Sequence, residues 1–469
     1  MTHRTFDAPL LYSSASRVLR MINVSMRPIV FDMSRLLSRA HLPSPSGIDR
    51  FEIRYADWIA QTYRSSVFVE TLAYGPRIIE RRRAVRMIGE VSRRWGAPPQ
   101  DGTEQAKLQE IATFLDGEDR PEPAPPAGRL RRVIDQTVSG NQRRLQATLR
   151  RVIAKVVTKR QALQEEGRNA LFVHVSHARL DRTGAFDWMP RLGARGIFYV
   201  HDLIPITHPN FARSGEAERH RRRLDTVLRH GAAILTNSEH SAAIIRDYAQ
   251  AKAAQLPSVH VIGPGIEPAF RRSPALEMPE TRRSFFLAIG TVEPRKNHSL
   301  LFETWRRLEE TGAPDIPALV IAGRLGWNGD EVLAELDRYP TLRRHVVHVE
   351  DLGDAALCCL MRGARAVLSP TLVEGYGMPV VEALAAGARV VASDIPSHRE
   401  IAGGRALLLD PAGSDAWFEA VERLARQAAP AAAGLTGAAR MARVLNWTDH
   451  FRFVSENVIR PLEHEAGLA

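Results

Sequence analysis

The chain has 469 residues, enough for two or three domains, a formal net charge of +11, and only two cysteines, the adjacent Cys358 and Cys359. Two neighbouring thiols make neither a disulfide framework nor a zinc site, and no apolar run approaches the ~18 residues that a membrane span needs. Residues 1–27 hold no hydrophobic stretch long enough for a secretory signal, so a cytoplasmic chain is expected, with the cysteines packed as small core residues on a helix. The positive charge calls for an acidic partner, and +9 of it falls within residues 77–160, which carry nineteen lysines and arginines against ten acidic residues.

In chain order, residues 28–34 read as a strand, 47–63 as an amphipathic helix and 67–73 as a second strand. Residues 77–165 break this rhythm. Prolines at 97–99 and 121–126 mark loops between two basic helical stretches, 81–94 and 129–164. This segment reads either as a solvated helical insertion or as a surface for anionic lipid or a phosphate-bearing acceptor. Short β-rich runs return at 171–176, 196–202, 232–237 and 259–263, with helical pattern between them. Pro264, Pro268, Pro274 and Pro279 then mark a linker at 265–283. Beyond it, strands are expected at 285–290, 318–323, 345–350, 366–369, 389–393 and 406–410, with helices in every gap. Six parallel strands in so short a stretch predict a doubly wound domain over 284–446, and 447–464 reads as a terminal helix crossing back to the first domain, 1–264.

The strongest chemical signal is the run from Glu374 to Gly387. A strand feeds a loop containing Gly375, Tyr376, Gly377 and Met378, Pro379 suits a first helical turn, and Gly387 a helix stop. Backbone N–H groups at such a helix start, reinforced by the helix dipole, suit a diphosphate. Glu382 lies one turn further on, where its carboxylate can accept from ribose hydroxyls. On spacing alone, a tight strand–helix turn with solvent-facing glutamates accounts for the run equally well. Gly290 begins a second such loop, in which Arg295 and Lys296 place two cations together, either to neutralise a pyrophosphate or as an exposed basic loop. Gly47, just before the first helix, allows close approach of a phosphate to the backbone, and His201 with Asp202 ends a strand facing the same crevice. Taken singly, these last two are weak signals.

Three segments together resemble the family-4 retaining glycosyltransferases of GT-B fold: 286–297, the 321–327 turn and 369–394, whose Glu374 and Glu382 match that family's paired glutamates. The Glu-Pro-Arg-Lys-Asn run at 293–297 is similar to bacterial polysaccharide mannosyltransferases, as are the stretches beginning at Phe31, Ser46 and His201. The resemblance covers about 28–76 and 171–469 and leaves out 77–165. It implies α/β architecture with two Rossmann-like domains facing across a cleft. It assigns Arg295, Lys296, Gly290 and Gly47 to the donor diphosphate, and Glu374 to the transferred sugar with the backbone of Gly375 to Met378. Glu382 goes to the ribose, and His201 to the sugar site near the anomeric centre. Thr291 stands where many relatives carry arginine, which shifts phosphate neutralisation onto Arg295 and Lys296.

The expected activity is transfer of a hexose, mannose as first guess and GDP-mannose as donor, to a glycan or lipid-linked acceptor, with retention, no cofactor and no metal. No Asp-x-Asp motif of the metal-dependent transferases is read in the sequence. The competing readings are a nucleotide-sugar epimerase or sugar phosphorylase on a similar fold, a non-catalytic sugar-nucleotide-binding protein, and a nucleic-acid binder using the basic segment. That segment offers few aromatics on which bases could stack. Peripheral contact with anionic membrane through 77–165, and no nucleic acid, are the partner expectations.

Overall fold

Strands buried on both faces alternate with amphipathic helices when a parallel sheet is sandwiched between helical layers, and this chain builds such a sandwich twice. The computed structural model describes residues 27–42, 45–96, 103–117, 163, 167–271, 276–427 and 445–464. Strands β1 (Ile29–Asp32), β2 (Val67–Leu72), β3 (Gly75–Ile79), β4 (Leu171–His174), β5 (Arg195–Val200), β6 (Gly231–Thr236) and β7 (Ser258–Val261) form one sheet, in the order β3-β2-β1-β4-β5-β6-β7. Strands β8 (Phe285–Ile289), β9 (Ala318–Ala322), β10 (Val346–Val349), β11 (Val367–Ser369), β12 (Val390–Ser393) and β13 (Leu407–Leu409) form the other, β10-β9-β8-β11-β12-β13, with every pair parallel. The second order is the doubly wound one in which the winding reverses between the first and fourth strands, here β8 and β11, and ligands bind at that switch point beyond the strand ends. The two α/β domains meet at the carboxyl ends of their strands, the GT-B organisation that the resemblance implies.

Three differences from the sequence reading have identifiable causes. Residue 34 does not continue the first strand but starts the helix Ser34–Arg39. The Asp32 carboxylate accepts the Ser34 N–H (3.0 Å) and hydroxyl (3.0 Å), a local turn that ends the strand. Residues 75–79, where no strand is expected and the break in the rhythm begins at 77, form β3, antiparallel to β2. Gly75 supplies the positive φ of +115° at the hairpin. The third difference is the helix Thr103–Leu115, which has no counterpart among the expected elements.

This helix divides the 77–165 segment between the two domains. Arg81–Gly96 buries Ala84, Met87, Ile88 and Val91 in the core of the first domain. Thr103–Leu115 instead buries Leu108, Ile111 and Leu115 with Phe270, Phe285 and Cys358 in the core of the second. Its buried Glu104 lies so close to Gly353, the N-cap of the helix Asp354–Gly363, that no Cβ would fit there. The loops expected at 97–99 and 121–126, and the basic stretch 129–164 apart from Leu163, lie outside the described residues. The change of sheet falls between Val261 and Phe285. The terminal helix Trp447–Val454 continues through a π-helical turn, Ser455–Ile459, into Arg460–His464. It buries Val454, Val458, Ile459 and Leu462 in the first domain's core. Cys358 and Cys359 are buried on the helix Asp354–Gly363, as the sequence suggests.

Docking of Thr103–Leu115 sets an expected cost. Leu108→Ala removes a fully buried side chain and should lower stability by about 2–4 kcal/mol. The measure is a lower urea midpoint and faster hydrogen exchange in Asp354–Gly363. Exchange unchanged there would mean that the helix is not part of the second core.

Candidate active site

The site begins where β8 and β11, neighbours in the sheet, deliver their loops to one place. After β8, Gly290 takes φ +135°, which bars a side chain, and a Cβ there would sit 3.2 Å from Lys296 Nζ. Pro294–Lys296 form one 3-10 turn, closed by Asn297 in the left-handed conformation. The Asn297 amide donates to the carbonyls of Pro370 (3.1 Å) and Pro411 (3.0 Å), which pins this turn to the loops after β11 and β13. The β11 loop crosses beside it. Leu372 N–H (2.8 Å) and the Thr371 hydroxyl (3.0 Å) both donate to the Arg295 carbonyl.

This stitching puts Glu374 between the two cations. Arg295 Nη1 donates to Glu374 Oε2 at 2.9 Å and Lys296 Nζ donates to Oε1. Arg295 also pairs with Glu293 at 2.6 Å and reaches the Val373 carbonyl at 3.2 Å. Burial alone would push the Glu374 carboxyl upward, but Arg295 and Lys296 overcome it and hold it at about 2. Burial dominates at Lys296, whose ammonium is lowered even though Glu374 pulls the other way, whereas Arg295 is raised because Glu374 and Glu293 outweigh its burial.

Beyond Glu374 the chain turns into the helix Met378–Ala386, with Gly377 (φ +102°) as N-cap and no side chain capping the start. The first N–H groups of such a helix stay available to an anion. Gly375 touches the other domain so closely that a Cβ would lie 2.7 Å from both the His201 carbonyl and Asp202 Cβ. Its carbonyl accepts the Ser238 hydroxyl at 2.9 Å, and the Tyr376 ring lies against Gly263. His201 and Asp202, at the end of β5, therefore stand across the cleft from Glu374. His201 Nε2 donates to the Val175 carbonyl at 2.8 Å, which leaves Nδ1 as the acceptor of the neutral ring. Burial lowers the imidazole to about 4, against the opposing pull of that carbonyl and Asp202.

Gly47 is exposed at the start of the helix Gly47–Thr62, and a Cβ there would meet nothing within 4 Å among the described residues. A capping box at Ser46 and Asp49 holds that start, and Arg35 binds Asp49 at 2.7 Å. From the same helix Arg50 pairs with Asp354 and Arg54 with Glu267. Glu382 faces this cluster. Burial raises its carboxyl to about 8, Arg50 opposes the rise, and Asp354 and Glu267 add to it. A further tie joins the domains: Glu400 accepts the N–H groups of Glu239 and His240, each at 2.8 Å, at the start of the helix Glu239–Ala251.

The structure thus gathers Gly290, Arg295, Lys296, Glu374, Gly375, Tyr376, Gly377 and Met378 at one switch point, with His201 opposite. Glu382 and the helix that begins at Gly47 meet in a second cluster around Arg50. Glu293, Ser238 and Glu400 were not singled out from the sequence. Ser238 follows β6 as His201 follows β5, so a polar residue just past a strand's carboxyl end was a usable signal for it. Glu293 and Glu400 carry no such mark.

Residues 274–438 match the family described as "Glycosyl transferases group 1". The serotype-specific mannosyltransferase WbdA of Escherichia coli is 26% identical over 232 residues, 46% of this chain and 28% of that protein. The O-antigen chain mannosyltransferase B of Escherichia coli is 28% identical over 239 residues, 49% of this chain and 61% of that protein. These matches span less than two thirds of either relative's length. The Anabaena protein HepE, in complex with UDP and glucose, shares the fold with a TM-score of 0.55 and 14% identity, over 92% of this chain and 99% of its own. Among the described residues, no helix is long and apolar enough to cross a membrane.

The environment of Glu382 makes stability depend on pH. Its folded value of about 8 lies above the unfolded one near 4.5, so between the two the folded chain keeps a proton that the unfolded chain releases. This contribution is full below about pH 4.5 and is lost as pH rises through about 8. Glu382→Gln should therefore gain in urea midpoint relative to the wild type from pH 5.5 to pH 8.5, whereas parallel curves would show that the carboxyl is not perturbed.

Proposed function

We propose that this chain is a retaining glycosyltransferase. It moves a hexose, mannose as first choice and GDP-mannose as donor, to a glycan or lipid-linked acceptor in bacterial surface or extracellular polysaccharide synthesis. The observation that carries this reading is the junction of Arg295, Lys296 and Glu374 at the β8/β11 switch point, beside an uncapped helix start and opposite His201.

A diphosphate at the Gly377–Met378 helix start meets backbone N–H groups and Lys296. In drawing Lys296 toward itself it takes the place of one Glu374 oxygen's partner, and that oxygen becomes free to accept from hydroxyls of the transferred sugar. Arg295, held by Glu293, Glu374 and the Val373 carbonyl, keeps the carboxylate in position. Glu382 receives the ribose. The C1–O bond to the diphosphate breaks, and the acceptor oxygen bonds C1 on the same face. The acceptor's proton passes to the departing phosphate oxygen, so no strong side-chain base is needed. Lys296 and the helix start stabilise the leaving charge without a metal ion. The close meeting of Gly375 with His201 and Asp202 keeps water from the sugar. Membrane-linked acceptors bring the enzyme to the inner membrane face. Arg82, Val85, Arg86 and Arg93, exposed on the helix Arg81–Gly96, are the described part of the contact.

Two experiments test this. Glu374→Gln should mainly lower turnover, whereas Glu382→Gln should raise the donor KM and weaken binding of the bare nucleoside diphosphate. If Glu374→Gln alone loses that affinity, the two carboxylates are reversed. If neither change affects binding or turnover, the active-site reading is wrong. The intact protein should also bind anionic vesicles at low salt and release them as salt rises. No binding at low salt would remove the membrane contact but leave the transfer reaction standing.

A further inference from the structure

The positive charge at the diphosphate seat is short. Arg295 and Lys296 are balanced by Glu293 and Glu374, and Thr291 adds none. One side chain beneath the seat has capacity to spare. His398 is fully buried on the helix Pro396–Ala402, which follows β12. Its Nδ1 donates to the Ser393 carbonyl at 2.9 Å, so the neutral ring carries a bare lone pair on Nε2, and that atom is buried with no hydrogen-bond partner among the described residues. The ring edge is pressed against Gly377, where a Cβ would lie 2.8 Å from His398 Cδ2 and 3.0 Å from Nε2. Gly377 is the N-cap of Met378–Ala386, the uncapped helix start of the site.

The charged groups facing the imidazole are Glu374, from the β11 loop, and Lys296, from the turn after β8. Arg399, on the histidine's own helix, is taken by Asp394 at 2.9 Å, and Glu400 by the backbone of Glu239 and His240. Burial holds the ring neutral, Glu374 and the Ser393 carbonyl favour its protonated form, and Lys296 disfavours it. An arriving diphosphate adds negative charge and draws Lys296 off Glu374, and both changes favour the imidazolium.

We propose that His398 is a positioning residue of the donor site that takes up one proton from solvent when a nucleoside diphosphate binds. Its Nε2–H then supplies the missing positive charge behind the Gly375–Met378 turn. The inference rests on the donor-site reading above.

The test is calorimetric. The probe is whichever of GDP, UDP, dTDP and ADP gives the largest thermal shift with the wild-type protein. It is titrated at pH 6.5 in two buffers of different ionisation enthalpy, which counts the protons exchanged. The wild type should take up close to one proton more than His398→Gln, and the variant should bind about tenfold more weakly, the equivalent of one pKa unit. Protons exchanged at Glu382 or on the nucleotide occur in both proteins and cancel in the difference. Equal proton counts overturn this inference alone. Absence of binding by all four nucleotides overturns the donor-site reading and this inference with it. Should His398→Gln fail to fold, the Cε1–H resonance of His398 in the wild type gives the same information. Its titration midpoint should rise with nucleotide bound, and an unmoved midpoint overturns the proposal.

Discussion

Glu374 is held away from water between a guanidinium and an ammonium, and much of the second domain's crevice follows from that arrangement. The two cations together hold this carboxylate ionised against its burial, and removing one partner of a buried pair costs about 3–5 kcal/mol. The β8 and β11 loops are thus locked together by charge as well as by the Arg295 carbonyl and the Asn297 amide. The same lock makes the site nearly neutral. Two cations in a row look like an anion trap in the sequence, but the fold has already supplied them with carboxylates.

Several of the contacts between the domains are polar and local. A hydroxyl from Ser238, a carboxylate from Glu400 and the Arg50–Asp354 pair tie loops that lie at the carboxyl ends of strands. Gly375 and Gly263 matter here for what they lack. Side chains at either position would collide with Asp202 or Tyr376 and hold the cleft ajar.

Much of this was legible in the sequence. Short, nearly continuous apolar runs placed twelve of the thirteen strands, because strands buried on both faces leave a dense β-branched signature. The loop at Glu374 was legible because glycine, proline and glycine punctuate a strand–helix turn with little ambiguity. What the sequence concealed depends on distance. The pairing of Arg295 with Glu374 joins positions 79 residues apart, and the lack of a hydrogen-bond partner for His398 Nε2 among the described residues is a property of its surroundings rather than of the run that contains it. β3 was missed because Pro76 and Arg77 weaken its alternation. The helix Thr103–Leu115 was missed because it lies between proline-rich loops, in a segment whose excess charge drew the reading toward solvent.

The core of each domain contains a piece of chain from the other half of the sequence. Leu108, Ile111 and Leu115 complete the second core, and Val454, Val458, Ile459 and Leu462 complete the first. Synthesis from the N-terminus therefore cannot finish one domain before beginning the next. The early sheet must wait, with part of its apolar surface uncovered, until the segment from Trp447 to His464 leaves the ribosome, while Thr103–Leu115 waits for a partner still unmade. Such a chain is most exposed to aggregation in the interval before that segment emerges, and its two halves, expressed apart, would each present a patch shaped for a segment held by the other.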